Sequence, residues 1–252
     1  MESTVTEIAP SIYRISTFHP QYGIQFNQFL VKDDEPFLMH TGFRKMFLLT
    51  FDAVSKVLDP ADLRWIGHSH FEPDECGALN EWLHCAPAAQ PVCGAVGAMV
   101  MLNDFSDRPA RALANDEILT TGRHQLRFLA TPHLPHGWDA GLFYDETEAT
   151  LFCSDLFFQP GNPKPVDYGD IVGAAKAAMK LSLSGPLAGD LPYTPHTDGM
   201  LQQLAALQPE TLAVMHGASF KGDGERAIRE LARAIREVHG ASEITNQKPD
   251  DR

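Results

Sequence analysis

Short apolar runs alternate with turn residues near the start of the chain, a pattern typical of β-strands. The runs at 12–15, 27–31 and 37–40 are separated by polar or proline-containing turns, and they predict an antiparallel meander. Apolar residues at helical spacing then predict a helix over 51–58, which Pro60 ends. The chain therefore begins as strands followed by a helix.

The order of strand, loop and helix recurs further along the chain. Apolar runs predict later strands at 63–67, 91–93, 125–129, 141–144, 150–153 and 212–215. Helical periodicity predicts helices at 77–84, 95–104, 172–181, 201–207 and 224–238. The segment 161–197, which contains the helix at 172–181, is interrupted by prolines. It is predicted to be that helix joined to a long irregular loop of the kind that often forms a lid or a partner surface.

Length and composition favour one globular domain. The chain has 252 residues, of which 44% are hydrophobic and 21% charged, and we expect a single domain over 1–241 followed by a polar, disordered tail over 242–252. No apolar run is long enough to cross a bilayer. The first residues lack the basic and apolar pattern of a secretory signal, which predicts a cytoplasmic location.

The charge balance excludes two classes of partner. A formal net charge of −13 repels phosphate backbones and anionic lipids, so we expect neither nucleic-acid binding nor electrostatic membrane docking. The four cysteines are widely spaced without a Cys-x-x-Cys pair, which predicts free thiols rather than a zinc knuckle or a disulfide framework.

Polar side chains with metal-binding capacity follow several of the apolar runs. His70, Glu72 and Asp74 alternate just after the strand at 63–67, and an extended segment would direct all three side chains to one side. Two further candidates, His136 and Asp155, follow apolar runs in the same way. They lie 19 residues apart in the sequence. Strand ends that meet at one edge would bring these donors into a single metal site.

A third imidazole completes the pattern, because His216 ends the run at 212–215 and is followed by Gly217. The order His-x-Glu-x-Asp, then His136 and Asp155, then this final His-Gly resembles the diiron domain of flavodiiron proteins and of related oxygen-binding diiron proteins, in the metallo-β-lactamase superfamily. The resemblance covers about 8–238, and it includes the hairpin at 26–33 and the loop at 136–139. It implies an α/β fold, an αββα sandwich of two mixed β-sheets packed between helices.

The resemblance also implies a ligand set for two iron ions. One iron would bind His70, Glu72 and His136, the second would bind Asp74, Glu75 and His216, and Asp155 would bridge them. The chain departs from the family at Glu75, where a histidine is usual. If Glu75 binds, the extra carboxylate favours the ferric state, and if it turns away, the second metal is weak or absent.

Other side chains are candidates for supporting roles. A replacement imidazole for the second metal could come from His133, which we favour, or from His68 or His40. Tyr193 and His196, in the proline-broken loop, are candidate proton donors close to the metals, although such loop residues more often only anchor a loop. His133 could also lie next to the metal ligands without binding an ion.

A second alignment of the motif is that of zinc hydrolases, with His68 and His70 as their His-x-His pair. It places Pro73 where the second metal's histidine should stand, and proline offers no side-chain ligand. A glutamate ligand also suits iron or manganese better than zinc. We therefore expect iron, with manganese and zinc as alternatives.

The resemblance implies three candidate functions. The protein could bind O₂ or NO as a sensor or carrier, or act as an oxidoreductase that takes electrons from a separate flavoprotein or rubredoxin. A separate donor is invoked because we expect no flavin-binding domain after the last helix and no flavin bound by the chain alone. The alternative is a metal-dependent hydrolase of esters, lactones or thioesters. A homodimer is expected from the resemblance alone.

Overall fold

Two seven-stranded β-sheets form the centre of the protein in a computed structural model, which describes residues 1–240. The predicted tail over 242–252 lies outside these residues. The first sheet has its strands in chain order, antiparallel from the first to the fourth and parallel from there onward. Its strands are β1 (Ser3–Ala9), β2 (Ile12–His19), β3 (Ile24–Val31), β4 (Phe37–Met39), β5 (Trp65–Gly67), β6 (Gln90–Gly94) and β7 (Arg111–Leu113).

The second sheet comes from the C-terminal half of the described chain. Its strands are β8 (Ile118–Thr120), β9 (Gln125–Ala130), β10 (Gly141–Asp145), β11 (Thr150–Ser154), β12 (Val166–Asp167), β13 (Thr211–Val214) and β14 (Ser219–Lys221). The spatial order is β12-β14-β13-β11-β10-β9-β8. β11 and β13 run parallel, so the residues that follow these strands leave the sheet at the same edge.

Helices cover the outer faces of both sheets. They are α1 (Phe47–Val54), α2 (Pro73–Cys76), α3 (Leu79–Cys85), α4 (Ala95–Gly97), α5 (Asn103–Phe105), α6 (Ile171–Ser182), α7 (Thr197–Ala206) and α8 (Gly224–His239). A π-helical segment, Ala98–Leu102, joins α4 to α5.

Aromatic side chains fill the space between the two sheets. Phe29 and Phe37 of the first sheet pack against Phe152 and Phe143 of the second, with ring centroids 5.2 to 6.4 Å apart, and Phe128 lies 5.4 Å from Phe143. Burial of this much aromatic surface is the main force that holds the sheets face to face.

Two further apolar layers lie outside the sheets. Trp82 of α3 packs with helix α1 on the outer face of the first sheet, and Leu231 of α8 packs with α6 and α7 on the second. The protein is therefore an αββα sandwich, and the predicted fold is confirmed.

The predicted elements are present with shifted ends. The first helix runs from Phe47 to Val54 rather than over 51–58, and the helix predicted at 77–84 begins at Leu79. Five short or polar strands, β1, β7, β8, β12 and β14, were not predicted, because their sequences carry little alternation of apolar and polar residues. No helix among residues 1–240 is both long and apolar enough to cross a bilayer.

The structure corrects the prediction that His70, Glu72 and Asp74 share an extended segment. Glu72 is extended, with φ −135° and ψ 156°, but Pro73 then starts helix α2, and Asp74 lies within that helix. Proline is favoured at the first position of a helix because its fixed φ suits the turn and its missing N–H is not needed there. Asp74 thus reaches its place by a helical turn rather than by alternation.

Candidate metal centre

Four chain segments bring the candidate side chains to one edge of the sandwich. His70 follows β5 of the first sheet, whereas His136 lies in the loop between β9 and β10, Asp155 follows β11, and His216 follows β13. The backbone N–H of Gly141 donates to the carbonyl of Ser69 at 2.8 Å, which ties the His70 loop to the second sheet.

Three donors form the first half of the cluster. The Nε2 atom of His136 lies 3.2 Å from Oε1 of Glu72, and Nε2 of His70 lies 3.9 Å from Oε2 of the same carboxylate. The two imidazole rings are 4.3 Å apart and nearly perpendicular. These three residues each offer a donor atom within 4.8 Å of the others, so they are able to hold one ion.

Asp155 connects this group to the second half of the cluster. Its Oδ2 lies 3.5 Å from Nε2 of His70 and 3.5 Å from Nε2 of His136, while its Oδ1 lies 3.1 Å from Nε2 of His216. Nε2 of His216 is also 3.3 Å from Oδ2 of Asp74. One carboxylate therefore faces all three imidazoles.

The donor set fits the metal ions that the fold and the resemblance imply. Two ligands that share an ion at about 2.1 Å lie roughly 3 to 3.5 Å apart, close to the separations between these nitrogen and oxygen atoms. Nε2 of His70 is buried and has no hydrogen-bond partner among residues 1–240, as expected for a nitrogen that serves as a metal ligand. Mixed imidazole and carboxylate donors suit iron or manganese.

The tautomer of His216 is fixed by its surroundings. Its Nδ1 donates to the backbone carbonyl of Gln25 at 2.9 Å. In the neutral imidazole, the lone pair is therefore on Nε2, which faces Asp74 and Asp155. The rings of Phe26 and Phe158 pack edge-on against the imidazole at 5.2 and 5.6 Å. These contacts hold the ring in one orientation.

In the absence of a metal, the imidazoles and carboxylates of the cluster shift each other's pKa values. Burial alone would lower the pKa of His216, but hydrogen bonds to Asp155 and Asp74 outweigh it and raise the pKa well above 6.5. The pKa of His70 is likewise raised to about 10 against its burial, chiefly by Glu75 and Glu72. The close contact with His136 and the positive charge of the nearby His70 lower the pKa of Glu72 to about 2.

Glu75, the seventh predicted ligand, is 1% exposed and lies behind His70. Its Oε2 accepts hydrogen bonds from Ser69 Oγ at 2.5 Å and from the His70 backbone N–H at 2.9 Å, and its Oε1 accepts from Ser154 Oγ at 2.9 Å. Oε2 is also 3.3 Å from Nδ1 of His70. A donor atom from each of His70, Glu75 and Asp155 lies within 4.8 Å of the others.

The candidate replacement imidazoles lie in different places. His40 is buried, with Nε2 3.2 Å from Ser69 Oγ and 3.6 Å from Oε1 of Glu75, so it stands on the inner side of Glu75. His68 is buried as well, and burial lowers its pKa to about 3. His133 is exposed, and among residues 1–240 its side chain does not join the cluster.

The two candidate proton donors of the proline-broken loop anchor that loop. The hydroxyl of Tyr193 donates to Oδ2 of Asp198 at 2.7 Å and accepts from Nε of Arg236 at 3.3 Å, which ties the loop to α7 and α8. His196 is exposed at the start of α7. Neither contacts a predicted ligand within the part of the chain that the structure describes.

The residues that support His216 were not predicted from the sequence. Arg14 is fully buried and donates to Oε1 of Gln25 at 2.7 Å and to the carbonyl of Gly217 at 2.9 Å. Nδ2 of Asn27 donates to the carbonyls of Val214 and Gly217 at 2.8 and 2.9 Å. An arginine within an apolar strand was the one available signal, because a buried charge requires partners.

Comparison with known proteins identifies a family for this chain. The family model described as "ODP family beta lactamase" matches residues 24–180. A diflavin flavoprotein from Synechocystis is 29% identical over 143 residues, which cover 56% of this chain and 25% of that protein. An uncharacterized protein from Methanocaldococcus jannaschii is 29% identical over 167 residues, or 62% of this chain and 42% of that protein. The chain thus spans less than half the length of either relative.

Solved structures share the fold at lower sequence identity. Rubredoxin oxygen:oxidoreductase from the anaerobe Desulfovibrio gigas superposes with a TM-score of 0.77 at 20% identity, covering 92% of this chain and 62% of that one. The flavodiiron protein from Giardia intestinalis gives 0.75 at 18% identity, covering 93% and 60%.

Proposed function

We propose that this chain, which belongs to the ODP beta-lactamase family, is a non-haem diiron protein that binds O₂ or NO, as a sensor or carrier or as an oxidoreductase with a separate electron donor. The observation that carries the proposal is the position of Asp155, whose carboxylate faces the imidazoles of both halves of the cluster. A carboxylate that faces two sets of donors is suited to bridge two ions.

The residues that would hold the ions divide into two groups. His70, Glu72 and His136 would hold the first, Asp74 and His216 the second, with Asp155 between them. Two ferrous ions held there would supply the electrons and the open coordination positions that binding and reduction of O₂ or NO require. Iron is favoured over zinc because carboxylates form half of this donor set, and manganese is the next alternative.

Access to the site is from the side of Glu72. Its side chain is 46% exposed and that of His136 22%, whereas that of His216 is 6% exposed. A cavity of about 430 Å³ opens beside Glu72, with Phe71, Tyr22 and Phe43 among its walls. A small gas would reach the metals through this apolar opening, while the inner donors stay away from bulk water.

The remaining parts of the proposal concern partners. The relatives are called diflavin flavoproteins and a rubredoxin oxygen:oxidoreductase, which supports an external flavoprotein or rubredoxin as the electron donor. A homodimer and a cytoplasmic location stay predictions.

Elemental analysis and rapid mixing test the proposal. Protein loaded anaerobically with Fe²⁺ is expected to retain two equivalents after gel filtration and to show a new visible absorption band when mixed with O₂. His216→Ala should lower the iron content, whereas His196→Ala, at an exposed histidine, should leave it unchanged. Failure of the wild-type chain to retain iron or manganese would refute the proposal.

A second measurement separates the sensor from the reductase. Sustained O₂ or NO consumption with a reduced flavoprotein or rubredoxin indicates an oxidoreductase, and a single turnover indicates a sensor or carrier. The hydrolase alternative is not favoured, because its first histidine, His68, is buried outside the donor groups of residues 1–240. Hydrolysis of esters by the zinc-loaded protein would support the hydrolase alternative.

A further inference from the structure

We propose that Glu75 is a positioning residue that aims His70 at the first ion, and that the second ion is held by Asp74, Asp155 and His216 alone. The inference rests on the proposed function, since it concerns the same pair of ions. It departs from the ligand role that the family pattern suggests for this position, and it predicts two ions of unequal affinity.

The carboxylate of Glu75 is already engaged by protein donors. Ser69 and the backbone of His70 donate to Oε2, and Ser154 donates to Oε1, at 2.5 to 2.9 Å. Nε2 of His40 also approaches Oε1, at 3.6 Å. An ionised carboxylate accepts about four hydrogen bonds, so this network leaves Glu75 little capacity for a metal.

The position of Glu75 relative to His70 suits an orienting role. Oε2 lies 3.3 Å from Nδ1 of His70, whereas Nε2, on the other side of the ring, faces Glu72 and Asp155. Metal-binding histidines commonly donate their second N–H to a carboxylate, which fixes the ring and increases its basicity. Glu75 acts here through the hydroxyls of Ser69 and Ser154, which donate to its carboxylate and lie 3.2 and 3.4 Å from Nδ1 of His70.

Helix α2 explains why neighbouring acids take different roles. Asp74 and Glu75 are consecutive in Pro73–Cys76, and consecutive helical side chains point about 100° apart. Asp74 is directed toward His216, at 3.3 Å, while Glu75 is directed into the interior. The first ion would therefore have His70, Glu72, His136 and Asp155, and the second one ligand fewer.

Glu75→Gln tests the assignment on the intact chain loaded with Fe²⁺ under anaerobic conditions. The substitution keeps the size of the side chain but removes its charge and one acceptor. Retention of each ion against a competing chelator would be measured, and Mössbauer spectra would report the two iron environments separately. We expect the first ion to be released about 10- to 100-fold more readily and the second ion to be affected less.

Two further variants complete the design. Ser154→Ala removes one donor to Glu75 and a hydroxyl that lies 3.4 Å from Nδ1 of His70. It should therefore weaken the first ion in the same direction, and it serves if Glu75→Gln does not fold. Glu81→Gln changes a nearby acid that pairs with Arg44 and should alter neither ion.

The outcomes are distinct. Selective loss of the second ion in Glu75→Gln, or unchanged retention of both ions in that variant and in Ser154→Ala, would overturn the inference and leave the proposed function standing. A wild-type chain that retains no Fe²⁺ would overturn the proposed function and this inference with it.

Discussion

Oδ1 of Asp155 lies 3.1 Å from Nε2 of His216, and the other oxygen of the same carboxylate faces His70 and His136 at 3.5 Å. The side chain of Asp155 is 17% exposed. A single acidic residue at the end of β11 thus connects donors that come from three different segments of the chain.

Asp155→Ala should therefore lose both ions. His136→Ala should mainly lose the first ion and His216→Ala the second, because each of these imidazoles serves one half of the cluster. Metal content after gel filtration measures the effect. Asp104→Asn, at an exposed acid of α5, is the control. Full metal content in Asp155→Ala would contradict the bridging position.

Metal uptake should release protons. The pKa of His70 is raised to about 10 and that of His216 well above 6.5, so both imidazoles are protonated in the metal-free protein at neutral pH. An ion must displace these protons, and its affinity should rise about tenfold per pH unit for each proton released. Calorimetric titrations in buffers of different ionisation enthalpy measure the release, and identical heats would contradict it.

The same shifts set the pH dependence of folding in the metal-free protein. The raised pKa of His70 stabilises the fold fully below 6.5 and less as the pH rises toward about 10. The lowered pKa of Glu72 stabilises it fully above 4.5 and less as the pH falls toward about 2. Burial lowers the pKa of His40 and of His68 to about 3, so the fold also loses stability as the pH falls below 6.5. The midpoint of urea unfolding of the metal-free chain should therefore be highest near pH 6.5. A midpoint that is highest at pH 9 would contradict the predicted pH dependence.

Arg14→Met should destabilise the protein. The substitution leaves Oε1 of Gln25 and the carbonyl of Gly217 without their donor inside the protein, at a cost of about 2 to 4 kcal/mol. Urea unfolding measures the loss. Because Gly217 follows His216, the second ion should also bind more weakly. Arg233→Met, at an exposed arginine of α8, should change stability by less than about 0.5 kcal/mol.

Gly141→Ala should disturb the packing between the sheets. A Cβ atom there would lie 2.2 Å from Cζ of Phe128, so the ring must move within the apolar core, at about 1 to 3 kcal/mol. Gly199→Ala meets nothing within 4 Å on helix α7 and should stabilise by about 0.5 to 1 kcal/mol. Equal thermal unfolding midpoints for the two variants would contradict the prediction.

The strands that carry the site were predictable because they are buried on both sides. β11 and β13 are continuous apolar runs that end directly before Asp155 and shortly before His216, and such runs are visible in a sequence. Helix α2 was not predictable, because its four residues are too few to show a periodicity and only Pro73 marks its start. Asp74 lies 3.3 Å from His216, but a helical turn rather than the predicted alternation places it there.

The supporting contacts could not be predicted. Ser154 and Arg14 lie far apart in sequence from the groups that they hold. Ser69 is close to Glu75 in sequence, but nothing local distinguishes either serine from a surface serine. Only the packing of the two sheets brings them together. The role of Glu75 could not be predicted for the same reason. The residue is evident in the sequence, but the direction of its side chain depends on hydrogen-bond donors at two separate strand ends.

The donors come from both halves of the sandwich, His70 from the first sheet and Asp155 and His216 from the second. A bound ion is therefore also a cross-link between the sheets, and its binding energy adds to the stability of the folded chain. Scarcity of the metal would act twice on such a protein, since molecules left without it would lack the proposed gas-binding site and would also open more readily to proteases.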